Sequence, residues 1–163
     1  MSYQNYADDE ELSLVHNTQR CLDSALVLLS YRMRSQSELE KRLIARGFDE
    51  QKVTRVVTRL KELNMLNDKI FAEQWVSCRS HQSQRILKRE LNIKGISEDI
   101  INTISMGDDE QKVRALAQKK MRTLSVLEPV QAKRKLYSYL QRRGFNNDTI
   151  TVILREFFHD GAQ

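Results

Sequence analysis

Residues 140–146 read Leu-Gln-Arg-Arg-Gly-Phe-Asn, and the same pattern occurs twice earlier in the chain. Residues 43–49 read Leu-Ile-Ala-Arg-Gly-Phe-Asp, and residues 91–97 read Leu-Asn-Ile-Lys-Gly-Ile-Ser. The three glycines are 48 and 49 residues apart. Because a period of this length is typical of helical repeats, we predict three tandem copies of one helical unit.

Each of these stretches predicts the end of one helix and the start of the next. A glycine just after a helix adopts a left-handed backbone without a side-chain clash, and the apolar residue after it can pack back on the leucine. A cation before the glycine is favoured at the negative end of the helix dipole, and a short polar side chain after it can cap the next helix. The cations are Arg46, Lys94 and Arg143, and the predicted caps are Asp49, Ser97 and Asn146.

The composition favours an all-helical protein. Among 163 residues there are one proline and five glycines, so few residues interrupt helices. No stretch approaches the roughly 20 apolar residues that span a bilayer, and the chain opens without a basic and apolar leader, so we expect a soluble, cytoplasmic protein. Cys21 and Cys78 lack metal-ligand spacing and are expected to be reduced thiols in or near the core.

The expected fold is all-α, with three tandem three-helix repeats that form an elongated, curved, right-angle-turn helical array and no strand. The predicted repeats cover residues 18–66, 67–107 and 108–163. Residues 1–17 lack a consistent apolar period, and their only charges are the four acids at positions 8–11. They are predicted to form a mobile acidic arm, with at most a short helix from about Glu10.

Alignment of the copies on their glycines identifies the predicted core. A leucine stands eight and four residues before each glycine, and an aliphatic residue stands six and nine residues after it. These core positions are Leu39, Leu43, Val53, Val56, Leu87, Leu91, Ile101, Ile104, Leu136, Leu140, Ile150 and Ile153. Locally, Ser35 and Glu38 resemble a capping box, Asp108 and Asp109 are expected to cap the third repeat, and Pro129 marks a helix start.

The basic residues concentrate in the last two repeats. Residues 18–163 contain 27 basic and 18 acidic side chains, a net charge of +9, and residues 111–143 contain ten Lys or Arg and one acid, Glu128. Such a surface suits a polyanion or an acidic protein, although a charge run can also be only a solvated helix face. Tyr137 and Tyr139 interleave with it and could stack on bases or pack in the core. The candidate binding residues are Arg79, Arg85, Lys88, Arg89, Lys119, Lys120, Arg122, Lys133, Arg134, Lys135 and Arg142.

Four stretches together resemble the RecX family of bacterial regulatory proteins. They are Ser-Glu-Leu-Glu-Lys-Arg-Leu at 37–43 with the Arg-Gly-Phe that follows, Asn-Asp-Lys-Ile-Phe-Ala-Glu-Gln-Trp-Val at 67–76 with Arg79, Glu-Leu at 90–91 with Lys-Gly-Ile, and Leu140 with Arg-Arg-Gly-Phe. The similarity extends over roughly residues 22–158. It departs from the family where Asn64 replaces a common glycine and where residues 80–84 replace a glycine-containing basic loop.

The resemblance implies a modulator, usually an inhibitor, of the RecA recombinase. Members of this family are built from tandem three-helix repeats and bind along the groove of the RecA filament on single-stranded DNA. The expected partners are therefore the RecA filament and single-stranded DNA, contacted directly or through the filament, and no membrane. We expect a monomer without a cofactor or metal.

Two other classes of function compete with this expectation. An enzyme has little support, because the three histidines are far apart in sequence without metal-ligand spacing, and no phosphate-binding loop is present. A direct DNA-binding helix-turn-helix protein could read bases with a set of residues in the third helix, namely Gln51, Lys52, Thr54 and Arg55. At the second turn, Glu98 and Asp99 would repel phosphate. A generic helical scaffold would have neither activity.

Overall fold

The fold is all-α over the part of the chain that a computed structural model describes, namely the backbone of residues 4–159 and the side chains of residues 17–158. Nine helices and no strand occur in this range, as predicted. None of these helices is long and apolar enough to cross a membrane. The helices are α1 (Gln4–Tyr31), α2 (Gln36–Ile44), α3 (Glu50–Glu62), α4 (Asp68–Cys78), α5 (Gln84–Ile93), α6 (Glu98–Thr103), α7 (Asp109–Leu124), α8 (Pro129–Gln141) and α9 (Asn147–His159).

Helix α1 is longer than the sequence predicted. It begins at Gln4, whereas we expected at most a short helix from about Glu10. Because no proline or glycine interrupts the 28 residues of α1, the helix can extend through the acidic stretch despite the missing apolar period. The predicted repeat boundaries remain predictions, as does the mobility of residues 1–17.

The three glycine turns have the predicted backbone conformation. Gly47, Gly95 and Gly144 have φ angles of +87°, +76° and +80°, which place all three in the left-handed region. At the first turn, the Asp49 carboxylate then caps α3 by accepting from the backbone N–H of Gln51 at 2.9 Å. Asn64 ends α3 with a φ of +55°, so this asparagine adopts the same backbone region that its glycine counterparts would favour.

All twelve predicted core positions are buried, each with at most 8% of its surface exposed. One apolar cluster joins α1, α2 and α3, and another joins α7, α8 and α9. The apolar stripe of α4 was predicted less accurately. Phe71, Ala72 and Val76 are buried, but Ile70 is 45% exposed because it lies on the solvent side of the helix.

The described residues form two compact units. One unit comprises the residues up to Phe71 together with Lys94–Ile100, and the other comprises Ala72–Ile93 and the residues from Ile101 onward. Each unit contains one junction of the same design, in which the start of the second helix of one sequence copy meets the glycine turn of the following copy. We call this arrangement the serine–glutamine junction.

In the first unit, the serine–glutamine junction is built on Ser35 and Gln36 at the start of α2. The buried Ser35 hydroxyl donates to the carbonyl of Lys94 at 2.6 Å, and the backbone N–H of Gln36 donates to the Asp68 carboxylate at 2.8 Å. Burial raises the pKa of Asp68, although the hydrogen bond from the Gln36 N–H acts to lower it. An ideal Cβ on Gly95 would lie 2.4 Å from the Cβ of Ser37, so only glycine fits this turn.

In the second unit, Ser83 and Gln84 at the start of α5 form the equivalent contacts. The backbone N–H of Ser83 donates to the carbonyl of Arg143 at 3.0 Å, and that of Gln84 donates to the Asp109 carboxylate at 3.0 Å. Asp109 was expected to cap α7, but Asp108 alone does so, with a 2.8 Å bond from the Gln111 N–H. Asp109 instead stabilises the start of a helix 25 residues earlier in the chain.

Glu38 is the centre of an ion-pair cluster in the first unit. The Ser35 hydroxyl accepts from the Glu38 backbone N–H at 3.2 Å, as a capping box requires, but the Glu38 carboxylate does not complete the box. It contacts the guanidinium of Arg32, that of the buried Arg34 at 3.1 Å, and the ammonium of Lys94 at 3.4 Å. The capping-box prediction was therefore half right, because strong cationic partners hold the carboxylate elsewhere.

The two cysteines lie in different environments, which yields a first testable prediction. Cys21 is fully buried, and burial raises the pKa of its thiol, whereas Cys78 is exposed, contrary to the expectation that both lie near the core. We expect Cys78 to react with a thiol reagent such as DTNB at native conditions, and Cys21 to react only after unfolding, since the thiolate is the reactive form. Titration with DTNB before and after adding guanidinium chloride measures this. Two fast-reacting thiols in the native protein would contradict it, and Cys78→Ser is the control.

Candidate nucleic-acid and protein interface

Helix α8 carries three of the eleven predicted binding residues, Lys133, Arg134 and Lys135, and a fourth, Arg142, is its C-cap. Helix α8 begins at Pro129. Proline fits the first turn of a helix because it has no backbone N–H that would be left without an acceptor there. Ala132, Leu136 and Leu140 are buried against α7 and α9. Because one face of α8 is fixed in the core in this way, its basic residues lie on the opposite, solvent-exposed side.

Four of the predicted cations line one groove between α7 and α8. The groove has a volume of about 760 Å³ and contains no carboxylate among its described lining residues. Lys120 approaches from α7, and Leu124 forms an apolar part of the wall. Guanidinium and ammonium groups arranged in this way can bind phosphates or carboxylates. The lining residues are Lys120, Leu124, Gln131, Arg134, Lys135, Ser138, Tyr139 and Arg142.

The ring of Tyr139 lies in this groove and is already in contact with two cations. The guanidinium carbon of Arg143 is 3.7 Å from the ring centroid, and the Lys120 ammonium nitrogen is 5.5 Å from it. Tyr139 and Tyr137 are both half-buried and pack against the apolar cluster of α7, α8 and α9. The sequence left two roles open for Tyr137 and Tyr139, packing in the core and stacking on bases. These contacts favour packing in the core.

The other predicted binding residues are distributed more widely. Arg79 is held by structural contacts, since its guanidinium lies 3.6 Å from the centroid of Trp75 and 3.4 Å from the Glu90 carboxylate. Arg85 donates to the carbonyl of Gly144 at 3.3 Å. The remaining five are exposed. Lys133 lines a second groove, between α8 and α9, and the other four are Lys88, Arg89, Lys119 and Arg122.

The cations of the first unit contrast with those of the groove. Arg32, Arg34 and Lys94 share the single carboxylate of Glu38, whereas Arg134 and Lys135 form no ion pair with any residue whose side chain is described. Hydrogen bonds and charges from Arg32 and Lys94 outweigh the effect of burial and lower the pKa of Glu38. Thus Arg32, Arg34 and Lys94 stabilise the fold, whereas Arg134 and Lys135 are not engaged in ion pairs with described side chains.

The cations before the glycines have structural partners: that of Arg143 belongs to its own helix, whereas those of Arg46 and Lys94 lie 22 and 56 residues away in the sequence. The helix-dipole interpretation of these cations stays a prediction. The Arg46 guanidinium donates to the Ser24 hydroxyl, and Lys94 pairs with Glu38. Arg143 donates to the Tyr139 carbonyl at 3.2 Å, one turn earlier in α8. They are therefore not placed among the groove cations.

Sequence reasoning missed two polar residues of the groove, Gln131 and Ser138. Gln131 lies one turn before Arg134 and Lys135 on the same helix, and Ser138 lies one turn after them, which is the signal that could have identified both residues. Groups of histidine, cysteine and acidic side chains suitable for a metal ion do not occur among the described residues.

Family models and individual relatives both match this chain to the same family. Residues 21–60 match the family model described as "RecX, first three-helix domain", and residues 108–154 match "RecX, third three-helix domain". The regulatory protein RecX of Chlorobaculum tepidum is 37% identical over 136 residues, which cover 79% of this chain and 82% of that protein. The regulatory protein RecX of Mycobacterium sp. (strain JLS) is 34% identical, with 79% of each chain covered.

Solved structures agree with the sequence comparisons. The crystal structure of RecX from Lactobacillus salivarius superimposes with a TM-score of 0.71 at 26% identity, covering 87% of this chain and 97% of that one. A second crystal structure of a regulatory protein RecX, at 20% identity and a TM-score of 0.69, shares the fold. On the strength of both sequence and structure, this chain belongs to the RecX family of regulatory proteins.

Proposed function

We propose that this protein is a non-enzymatic regulator that acts in the bacterial cytoplasm on the RecA filament formed on single-stranded DNA, and mainly inhibits its ATPase and strand-exchange activities. Membership of a family of regulatory proteins supports the regulatory role. The observation that carries the proposal is the groove between α7 and α8, where Lys120, Arg134, Lys135 and Arg142 converge without a carboxylate.

The mechanism follows from the charge of the groove. A nucleoprotein filament presents phosphates at regular intervals, and cations that replace its counterions gain binding free energy. A protein that binds one conformation of the filament more tightly than another shifts the filament towards that conformation. Binding across adjacent RecA subunits would thereby block the conformational cycle linked to ATP hydrolysis, or favour disassembly.

Charge reversal in the groove tests the proposal. We expect Arg134→Glu, Lys135→Glu and Arg142→Glu together to raise the concentration needed for half-maximal inhibition of the RecA ATPase at least about tenfold, since each lost phosphate contact weakens binding. DNA-dependent ATPase and strand exchange are measured with and without the protein, and helical content is checked by circular dichroism.

A matched control separates local from global electrostatics. Reversal of Lys41, Arg55 and Arg155, three exposed cations outside the groove, changes the net charge by the same amount. The proposal fails if this variant loses as much inhibition as the groove variant, or if the unaltered protein has no effect on RecA at stoichiometric excess.

The same proteins also test direct DNA recognition. Arg55 belongs to the exposed face of α3 that a helix-turn-helix reader would use. Sequence-specific binding of duplex DNA in the absence of RecA, lost in the control variant and retained in the groove variant, would favour that alternative. Titration across salt concentrations measures it, because phosphate contacts impose a steep negative slope on the affinity.

A further inference from the structure

The ion-pair cluster around Glu38 contains more positive charge than one carboxylate neutralises. Three guanidinium groups approach the same oxygen of Glu38, those of Arg32, Arg34 and Arg42, the last at 3.9 Å. Burial, and then the charges of Arg32 and Arg42, lower the pKa of Arg34, although an arginine stays protonated. The three arginines have no other carboxylate partner among the described side chains, so two positive charges remain unneutralised there.

Some of the guanidinium nitrogens in this cluster have no hydrogen-bond acceptor among the described residues. Arg34 is more than nine-tenths buried, and it uses Nε for the carbonyl of Leu28 and Nη1 for Glu38, which leaves Nη2 unused. Arg42 is more than half exposed, and its only described partner is Glu38 at 3.9 Å. Because charged donors on buried side chains are usually satisfied, Nη2 of Arg34 is a point at which a ligand oxygen could bind.

The helical repeat does not require this cluster, because the other two copies lack it. Counting from the glycines gives the counterparts of Arg34, Glu38 and Arg42, which are Gln82, Ile86 and Glu90 in the second copy and Gln131, Lys135 and Tyr139 in the third. The three counterparts in the third copy all line the α7–α8 groove. The cluster therefore occupies the place in the first copy that forms the candidate binding surface in the third.

We propose that Arg32, Arg34 and Arg42, which we call the arginine site, bind a phosphate group that carries two negative charges. Two unneutralised positive charges match a dianion, and guanidinium groups suit phosphate oxygens. The three guanidiniums converge on one point instead of following a helix, which favours a single compact anion over a polymer. Free phosphate and the terminal phosphate of a nucleotide share this chemistry. The inference goes beyond the proposed function, because the arginine site lies in the first unit and the α7–α8 groove in the second.

Glu38 sets the affinity of the arginine site. Its carboxylate competes with the incoming anion for the same guanidinium groups and repels it. Replacement of Glu38 by glutamine should therefore tighten phosphate binding, although it destabilises the ligand-free protein by leaving Arg34 without an anion. A cluster that only stabilises the fold predicts no such tightening. The opposite effects on stability and on phosphate affinity separate the two roles.

The test uses the full chain in a phosphate-free buffer and titrates sodium phosphate against sodium chloride at equal ionic strength. We expect saturable binding by isothermal calorimetry, and a rise in melting temperature of roughly 4 °C at ten times the dissociation constant. Arg42→Gln should weaken phosphate binding about tenfold, because it removes a charged donor, and Glu38→Gln should tighten it about tenfold. Because Arg42 is exposed, its variant tests the inference even if Glu38→Gln does not fold.

The control is Arg59→Gln, which removes an exposed arginine of the same unit that also pairs with one glutamate, and it should change the affinity less than about twofold. AMP and an oligo(dT) without a terminal phosphate distinguish the sources. Tighter binding of AMP supports a nucleotide, and binding of inorganic phosphate alone supports the free anion. Binding of the oligo(dT) alone would overturn the inference, as would equal stabilisation by chloride, equal weakening in Arg59→Gln, or weaker phosphate binding by folded Glu38→Gln.

Discussion

Replacement of Gly144 by alanine is expected to destabilise the second unit by roughly 3 kcal/mol, the sum of left-handed backbone strain and a steric overlap with the side chains of Ile86 and Ser83. The new Cβ would lie 2.2 Å from the Cγ1 of Ile86 and 2.8 Å from the hydroxyl of Ser83. Both atoms belong to the serine–glutamine junction. Chemical denaturation monitored by circular dichroism measures the change in the free energy of unfolding.

Gly47→Ala is the matched control for this prediction. Gly47 has nearly the same φ angle, +87° against +80°, but an added Cβ there meets nothing within 4 Å. The backbone strain alone should cost about 1 kcal/mol. If the two substitutions destabilise the protein equally, the packing at Gly144 contributes nothing, and the junction is not the reason that glycine is required there.

Substitution of Glu38 by glutamine is expected to cost about 3 kcal/mol at neutral pH, because it leaves the buried guanidinium of Arg34 without its anionic partner. Arg34 is 7% exposed, and it also donates from Nε to the carbonyl of Leu28 at 3.0 Å, so it cannot turn towards solvent without breaking that bond. Glu62→Gln is the control, since the Glu62 and Arg59 side chains are more than half exposed. That change should cost less than about 0.5 kcal/mol.

The effect of Glu38 depends on pH in a defined direction. Its pKa is lowered in the folded protein, so its ionised form contributes stability above the pKa of the unfolded chain, about 4.3, and this contribution is lost as the pH falls through the folded value. The stability difference between the protein and its Glu38→Gln variant should therefore be constant at neutral pH and shrink below about pH 4. A difference that grows on acidification would contradict the ion-pair cluster as its cause.

Much of the fold is readable from the sequence because its determinants are local. The positive φ angles of the glycine turns, the start of α8 at Pro129 and the twelve core positions depend on residues within one or two helical turns. Predictions from the sequence failed where one local pattern is compatible with two structures. The apolar stripe of α4 did not distinguish the exposed Ile70 from its buried neighbours. Asp108 and Asp109 were equivalent in sequence as caps of α7, but in the structure the Asp109 carboxylate accepts a hydrogen bond from the Gln84 N–H.

The sequence could predict which basic residues are candidates for binding, but not which of them lie together in one groove. Sequence alone selected the cations of α7 and α8, yet it could not separate those that converge on one groove, such as Lys120 and Arg134, from those that point elsewhere, such as Lys119 and Arg122. It also could not assign Arg79 to Trp75 and Glu90. These distinctions depend on how helices pack side by side.

By itself, the sequence determined the helices, the turns between them, the apolar face of most helices and the family. The tertiary structure decided which polar groups meet. Examples are the contacts of Ser35 with Lys94 and of Arg85 with Gly144, each between residues 59 positions apart, and the junctions and grooves built from such contacts. The reason is that helix periodicity and capping are set by neighbours along the chain, whereas the partner of a side chain at long range is fixed only when the apolar faces have packed.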